Sequence, residues 1–279
     1  MNPMFHCVVN TFSLNNLNNI IMSSKIRIFS YLPNPRVWKS LITAKFADVN
    51  VEVIGDKPKN LSNWLWDYDA RALTDDEKSF NPNARKGKRG FSGDLYKTDE
   101  FLEAHPFGTV PAAFVGDEKV GVFESNSIMR SVARLGNSDA LYGKNDPSLS
   151  SRIDSFLDAN LVFSREHQVY ILTIESLSEY TYDRMKSAYE FYLDGIESAL
   201  SKSKYISGDY LTLADISYVC DFSQFLREGK YQEILKNQGF NIISQDIKDT
   251  HSRSINHLLN LSEQEEFSSV MGSYLDWYK

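Results

Sequence analysis

The most constraining feature of this chain is a proline at the head of a strand. Thr109 to Val115 reads Thr-Val-Pro-Ala-Ala-Phe-Val, and its β-branched and aromatic residues suit an extended segment. Proline cannot donate to a sheet ladder, so Pro111 excludes an ordinary interior strand. Two arrangements satisfy both facts. One is an edge strand with a trans proline. The other is a strand that begins at a cis Val110–Pro111 peptide, with the Val110 backbone left to pair with a ligand. On the sequence alone the two are even.

The segments around Pro111 give it a setting. Lys25 to Tyr31 alternates polar and apolar residues, as a strand does. Pro35 suits a first helical turn, and Val37, Leu41 and Ala44 then recur at helical spacing. Asn50 to Ile54 is a second strand. Lys119 to Phe123 pairs with the Pro111 strand through the short turn Gly116-Asp117-Glu118, and Ser125 to Arg134 is a helix. Asp56 to Lys97 is an insertion, too long for an ordinary loop, that should hide one short helix.

From Asp146 onward every strong pattern is helical. Ile153, Phe156, Leu157, Asn160 and Leu161 mark one face of a long helix. Met185, Tyr189, Tyr192 and Ile196 mark another, and a last helix is expected over Phe267 to Tyr278. Thr212 and Asp215 stand three apart at a helix start, which is capping-box spacing with Asp in place of Glu. The expected organisation is an α/β unit over 25–136 carrying the insertion 56–97, then an all-helical unit over 146–279. Residues 1–24 hold no charged side chain, are rich in Asn, and read as a disordered leader.

Composition narrows the function. The net charge of −7 argues against a duplex nucleic-acid partner and against attraction to an anionic membrane by charge. The two cysteines, Cys7 and Cys220, form no disulfide framework and fit a reducing, cytoplasmic compartment. The five histidines are scattered and no cysteine pair has metal-ligand spacing, so no metal is expected.

Three motifs, in order, resemble those of the cytosolic glutathione transferase superfamily over about Lys25 to Leu226. Thr109-Val110-Pro111 resembles the family's Val-cis-Pro, whose backbone pairs with the cysteinyl part of glutathione; this resemblance implies the cis form. Phe123-Glu124-Ser125-Asn126-Ser127-Ile128 resembles its Glu-Ser-x-x-Ile element, which holds the γ-glutamyl end. Gly208-Asp209 followed by Thr212-Leu213-Ala214-Asp215 resembles its helix-capping folding motif. The nearest members are the transferase-like domain of the elongation factor one gamma subunit and its stand-alone bacterial relatives. The resemblance implies a thioredoxin-like N-terminal domain, an all-α C-terminal domain, glutathione as co-substrate, a small-molecule electrophile and a homodimer. Its rival is a non-catalytic interaction module of a translation factor.

The chemistry of such a site needs a thiolate, because the thiol is a poor nucleophile. By resemblance the working position is Asn34, two residues before Arg36-Val37, where the family carries Ser, Cys or Tyr. An Asn amide can donate a hydrogen bond to a thiolate but forms no mixed disulfide; it is also a good helix cap. Glu124 would pair with glutathione's ammonium and Ser125 with its carboxylate, unless both only cap a helix. Arg85, Lys88 and Arg89, from the basic run in the insertion, would hold the glycyl carboxylate, or else line a solvated loop. Trp66, Tyr68 and Phe163 are the expected electrophile pocket, and Arg36 reads as a bridge between the two halves.

Overall fold

In the computed structural model, which describes residues 26–87, 91, 93–136 and 138–278, the first half is built on a four-stranded sheet. Its strands are β1 (Ile26–Tyr31), β2 (Val51–Asp56), β7 (Ala112–Val115) and β8 (Val120–Phe123), in the order β2-β1-β7-β8. β1 runs parallel to β2 and antiparallel to β7, and β7 is antiparallel to β8. The parallel pair requires a crossover, which α1 (Pro35–Ala47) supplies. Gly55 is obligatory in β2 because a Cβ there would lie 1.7 Å from the Ser30 carbonyl oxygen. The leader 1–24 lies outside the described residues.

One face of this sheet is covered by α1 and α4 (Ser125–Leu135). Ile26, Ile28 and Ala113 pack there against Val37, Ala44, Ile128 and Val132. The other face is covered by the insertion, which carries the expected short helix, α2 (Asp75–Lys78), but is otherwise no loop. It folds into a second four-stranded sheet of β3 (Trp64–Trp66), β4 (Arg71–Ala72), β5 (Ala84–Lys86) and β6 (Asp94–Lys97), and a short helix, α3 (Asp99–Ala104), follows it. Strands of two to four residues are too short to show an alternation, so nothing local announces them. What holds them is tertiary. Trp66 is 1% exposed, donates its indole N–H to the Leu61 carbonyl at 3.0 Å, and packs edge-on against Phe29 and Phe101.

The second half is helical throughout. Its long members are α5 (Pro147–Leu172), α6 (Glu179–Leu200) and α7 (Leu213–Phe225); α10 (Ser252–Ser262) and α11 (Glu265–Met271) close the chain. α7 is the central rod: every residue but Gln224 is buried. A helix buried on all sides ordinarily reads as apolar all round, yet this one carries Asp215, Ser217, Asp221 and Ser223. The largest core cluster joins the halves, since Trp38, Ile42 and Met129 belong to it along with Leu157, Phe163 and Val219. The last helix is shorter than expected. It stops at Met271 because Gly272, at φ 54° and ψ −137°, takes a positive-φ conformation far from the helical one, which glycine adopts without steric cost.

Asp215 anchors the start of α7. It is fully buried, accepts from the Thr212 amide at 2.9 Å and the Ile206 amide at 3.0 Å, and receives His257 Nε2 at 2.8 Å. The capping box expected from the sequence is formed. Asp215→Ala would orphan these donors, and the expected loss is about 3 to 5 kcal/mol, as for a broken buried ionic network. A fall in the urea midpoint at unchanged m-value would register it.

His167 gives the fold a second testable property. It is 3% exposed, stacked on Phe163 and set edge-on to Phe225, and its Nε2 has no partner among the described residues. Burial holds its pKa down at about 3, and the Arg36 and Arg227 charges push the same way. The unfolded chain therefore takes up a proton near pH 6.5 that the folded chain refuses until about pH 3. Stability falls as pH drops through that window, by up to about 1.4 kcal/mol per unit. His167→Gln should flatten the stability profile between about pH 6.5 and pH 5, above the carboxylate range; urea titrations at each pH measure it.

Candidate functional site

Three segments of the chain meet at one end of the first sheet. Ala112 pairs with Phe29 on one side and Phe123 on the other. One residue further along the register, Pro111 stands between Ser30 and Glu124. The Val110–Pro111 peptide is cis, and so is Leu32–Pro33, which the sequence did not announce. The ladder starts at Ala112, so half-buried Val110 lies ahead of it.

Glu124 opens α4 in an unusual way. Its backbone sits at φ 64°, ψ 125°, a conformation that costs a non-glycine residue about 1 to 3 kcal/mol. The side chain is exposed and makes no capping hydrogen bond. The Glu124 carbonyl accepts from the amides of Ser127 and Ile128, at 2.9 and 3.0 Å. The amides of Ser125 and Asn126 precede the first intrahelical bond and stand at the positive end of the helix dipole. Glu124 is therefore no ordinary cap, and Ser125 is 8% exposed beside it.

Beneath this turn lies a buried network that the sequence reading missed. Lys39 of α1 is 1% exposed, and its ammonium lies 2.6 Å from Asp221 Oδ2, 2.8 Å from Asn126 Oδ1 and 3.3 Å from Ser125 Oγ. Asn160 Oδ1 is 3.4 Å away, and Ser217 Oγ, with one hydrogen to give, lies within hydrogen-bonding distance of both asparagine oxygens, at 3.0 and 2.8 Å. No local signal marks the charged pair: Lys39 lies in a helix that also carries Arg36 and Lys45, and Asp221 lies among Ser217, Ser223 and Gln224.

Asn34 takes the capping role of its two expected ones. It is fully buried; its Oδ1 accepts from the Arg36 amide at 3.0 Å and its Nδ2 donates to Ser30 Oγ at 3.0 Å. Both ends of a short amide are thereby engaged. Arg36 reaches the Ser164 carbonyl at 3.5 Å, across the junction between the halves. Tyr31, the half-buried residue that closes β1, was not singled out from the sequence. Burial pushes its phenol up; the Arg36 charge opposes this and Asp221 reinforces it. A phenol so held stays protonated near neutrality and can donate a hydrogen bond.

The remaining expected residues do not converge. Arg85 is tied within the insertion, to Asp99 at 2.8 Å and to the Pro82 and Ala84 carbonyls. Lys88 and Arg89 lie outside the described residues. The cation beside the Val110–Pro111 loop is instead Lys97, whose ammonium donates to the Gly108 carbonyl at 2.8 Å and lies 4.6 Å from the centre of the Trp66 ring. Trp66 and Phe163 are each 1% exposed and belong to separate core clusters. Tyr68 packs edge-on to Phe114, with Arg27 and Lys119 over its ring at 4.2 and 3.8 Å. The three aromatics are thus packing residues and do not form one pocket. Large apolar rings gain more from core burial than from lining a cleft.

Among the described residues, no group of three His, Cys, Asp or Glu could hold a metal, and no helix is long and apolar enough to cross a membrane.

No protein-family model matches the chain. Glutathione S-transferase F9 of Arabidopsis thaliana is 31% identical over 145 residues, covering 47% of this chain and 64% of that protein. Elongation factor 1-gamma of Prunus avium is 26% identical over 240 residues, covering 78% of this chain and 48% of that protein. The chain thus spans less than two thirds of the length of either relative. Among solved structures, glutathione transferase F2 of Populus trichocarpa superposes with a TM-score of 0.57 at 18% identity, covering 90% of this chain and 99% of that one. A glutathione transferase of Phanerochaete chrysosporium, solved in complex with oxidized glutathione, superposes with a TM-score of 0.60 at 16% identity, covering 91% and 98%. The cis proline, the strained turn into α4 and the formed capping box sit in this shared architecture: the chain has the glutathione transferase fold, a thioredoxin-like α/β half followed by an all-helical half, and in sequence it resembles both plant glutathione transferases and elongation factor 1-gamma.

Proposed function

We propose that this chain is a glutathione transferase that conjugates or reduces small electrophiles with the glutathione thiolate. The observation that carries the reading is the uncapped start of α4, with exposed Glu124 in a strained conformation directly beside the cis Val110–Pro111 peptide. A zwitterionic α-amino-acid end suits that turn. Glu124 pairs with the ammonium, while Ser125 Oγ and the amides of Ser125 and Asn126 take the carboxylate. The Val110 backbone pairs with the cysteinyl peptide unit, and Lys97 takes the glycyl carboxylate in place of the basic run at 85–89.

The thiol proton leaves to water as the thiolate forms. Sulfur then bonds to the electrophilic carbon, and the leaving group departs with the electron pair of the broken bond. Tyr31 is the proposed donor to the thiolate, because Asn34 is occupied as a cap. A homodimer and a cytoplasmic setting belong to the same reading, and exposed Leu161, Val162, Val169 and Leu172 on α5 support a partnered face.

The second reading, a non-catalytic module of a translation elongation factor, is favoured by one observation. The match to elongation factor 1-gamma covers 78% of this chain, against 47% for the plant transferase. Titration with glutathione, together with turnover of a panel of electrophiles, separates the two. Binding with turnover supports the enzyme; co-purification with an elongation factor and no turnover supports the module.

Two variants test the assignments. Glu124→Ala should raise the KM for glutathione about tenfold to a hundredfold, the range for a lost hydrogen bond to a charged group, and should matter less for an analogue lacking the α-amino group. Tyr31→Phe should lower kcat by about tenfold and raise the pKa of the bound thiol, read from thiolate absorbance. Asn34→Ala should instead cost about 1 kcal/mol of stability, as for a lost cap, with the bound thiol's titration unmoved.

A further inference from the structure

The geometry points to Lys39 as a positioning residue that orients the Ser125 hydroxyl hydrogen toward the ligand's carboxylate, under the control of Asp221 on the far half of the molecule. This rests on the proposed glutathione site. An ammonium has three N–H groups and no lone pair, so Lys39 can only donate to Ser125 Oγ, 3.3 Å away. That contact takes one of the hydroxyl's two lone pairs. Ser125 makes no other hydrogen bond among the described residues, which leaves its one O–H free to point out of the buried network, to the turn before α4. A hydroxyl held this way turns its hydrogen toward an anion, with the ammonium's positive charge behind it. That charge favours a carboxylate over an ammonium at the same spot.

The same ammonium fixes the next residue. Asn126 Oδ1 receives Lys39 at 2.8 Å and Ser217 at 3.0 Å, while Asn126 Nδ2 donates to the Leu157 carbonyl at 2.9 Å. The second residue of α4 is thus tied to α5 and α7. Its backbone amide, one of the proposed carboxylate donors, is held by side chains of the helical half.

Asp221 sets the charge that the turn feels. Its Oδ2 accepts from Lys39 at 2.6 Å and from Ser164 Oγ at 2.6 Å, whereas its Oδ1 is buried without a partner. The carboxylate offsets the ammonium from behind. Weakening that offset should strengthen the pull on an anion in front of Ser125.

The experiment measures affinity by calorimetry for two probes, S-methylglutathione and the same molecule lacking the γ-glutamyl α-carboxylate, on the full chain. Lys39→Met should weaken S-methylglutathione by about tenfold or more and leave the decarboxylated probe within about twofold. Asp221→Asn, which keeps Lys39 and a similar shape, should tighten S-methylglutathione severalfold and again spare the decarboxylated probe. Should Lys39→Met fail to fold, Lys39→Met with Asp221→Leu removes both charges together, and it should show the same loss of carboxylate selectivity. In a Ser125→Ala background the Lys39→Met effect should shrink. Equal weakening of both probes, or unchanged selectivity in Asp221→Asn and the charge-free pair, overturns the positioning role while leaving the glutathione site standing. A parent protein that binds neither probe overturns the site itself and this role with it.

Discussion

The structure hangs on one buried ion pair. Lys39 and Asp221 have side chains only 2% and 3% exposed, and they come from opposite halves of the chain. Removing two charges from water costs several kcal/mol per ion, which a bare contact does not repay. Here the ammonium also meets Asn126, Asn160 and Ser125, and the carboxylate meets Ser164. The surrounding amides and hydroxyls are in turn bonded to Ser217, Tyr192 and the Leu157 carbonyl. The network specifies how the halves dock. Any other docking would strand a charge in an apolar core, which includes Trp38, Ile42, Phe163 and Val219.

That constraint reaches the candidate site through α4. The strand β8 delivers Glu124 to the end of the sheet, and the network holds the following two residues from below. A positive-φ glutamate survives there because its neighbours over-determine it, and local strain of this kind is a mark of sites rather than of plain scaffold. The cost is offset by packing elsewhere: Ile128, Met129, Val132 and Ala133 on the same helix are buried. A rigid helix on a packed face can present an awkward turn that a loop could not hold.

The insertion shows the opposite balance. Its sheet has little local propensity, with strands of two to four residues. It depends on Trp66, Leu61, Leu95 and Phe101 burying themselves against Phe29 and Phe114 of the main sheet. Arg85, from the basic run that looked like a ligand grip in the sequence, is committed to Asp99 and to neighbouring carbonyls. Lys97 stands nearer the Val110–Pro111 loop because β6 pairs with β3 and carries its end toward Gly108.

The sequence by itself determined the elements whose signals are local. Alternation gave β1 and β2, the short turn Gly116-Asp117-Glu118 gave the β7–β8 hairpin, helical periodicity gave α5 and α6, and the Thr212–Asp215 spacing gave the α7 cap. A proline in a strand pattern is an exception to local rules and drew notice to Pro111, whereas Glu124 and Ser125 sit in an ordinary helix-start pattern and stood out only through the resemblance. Tertiary structure alone decided what depends on partners distant in the chain. Lys39 and Asp221 are 182 residues apart, and neither looks unusual until the other is brought within hydrogen-bonding distance. Trp66 and Phe163 became core because two different clusters closed over them. Local propensity is written over a few residues, whereas burial and charge pairing are properties of the assembled fold.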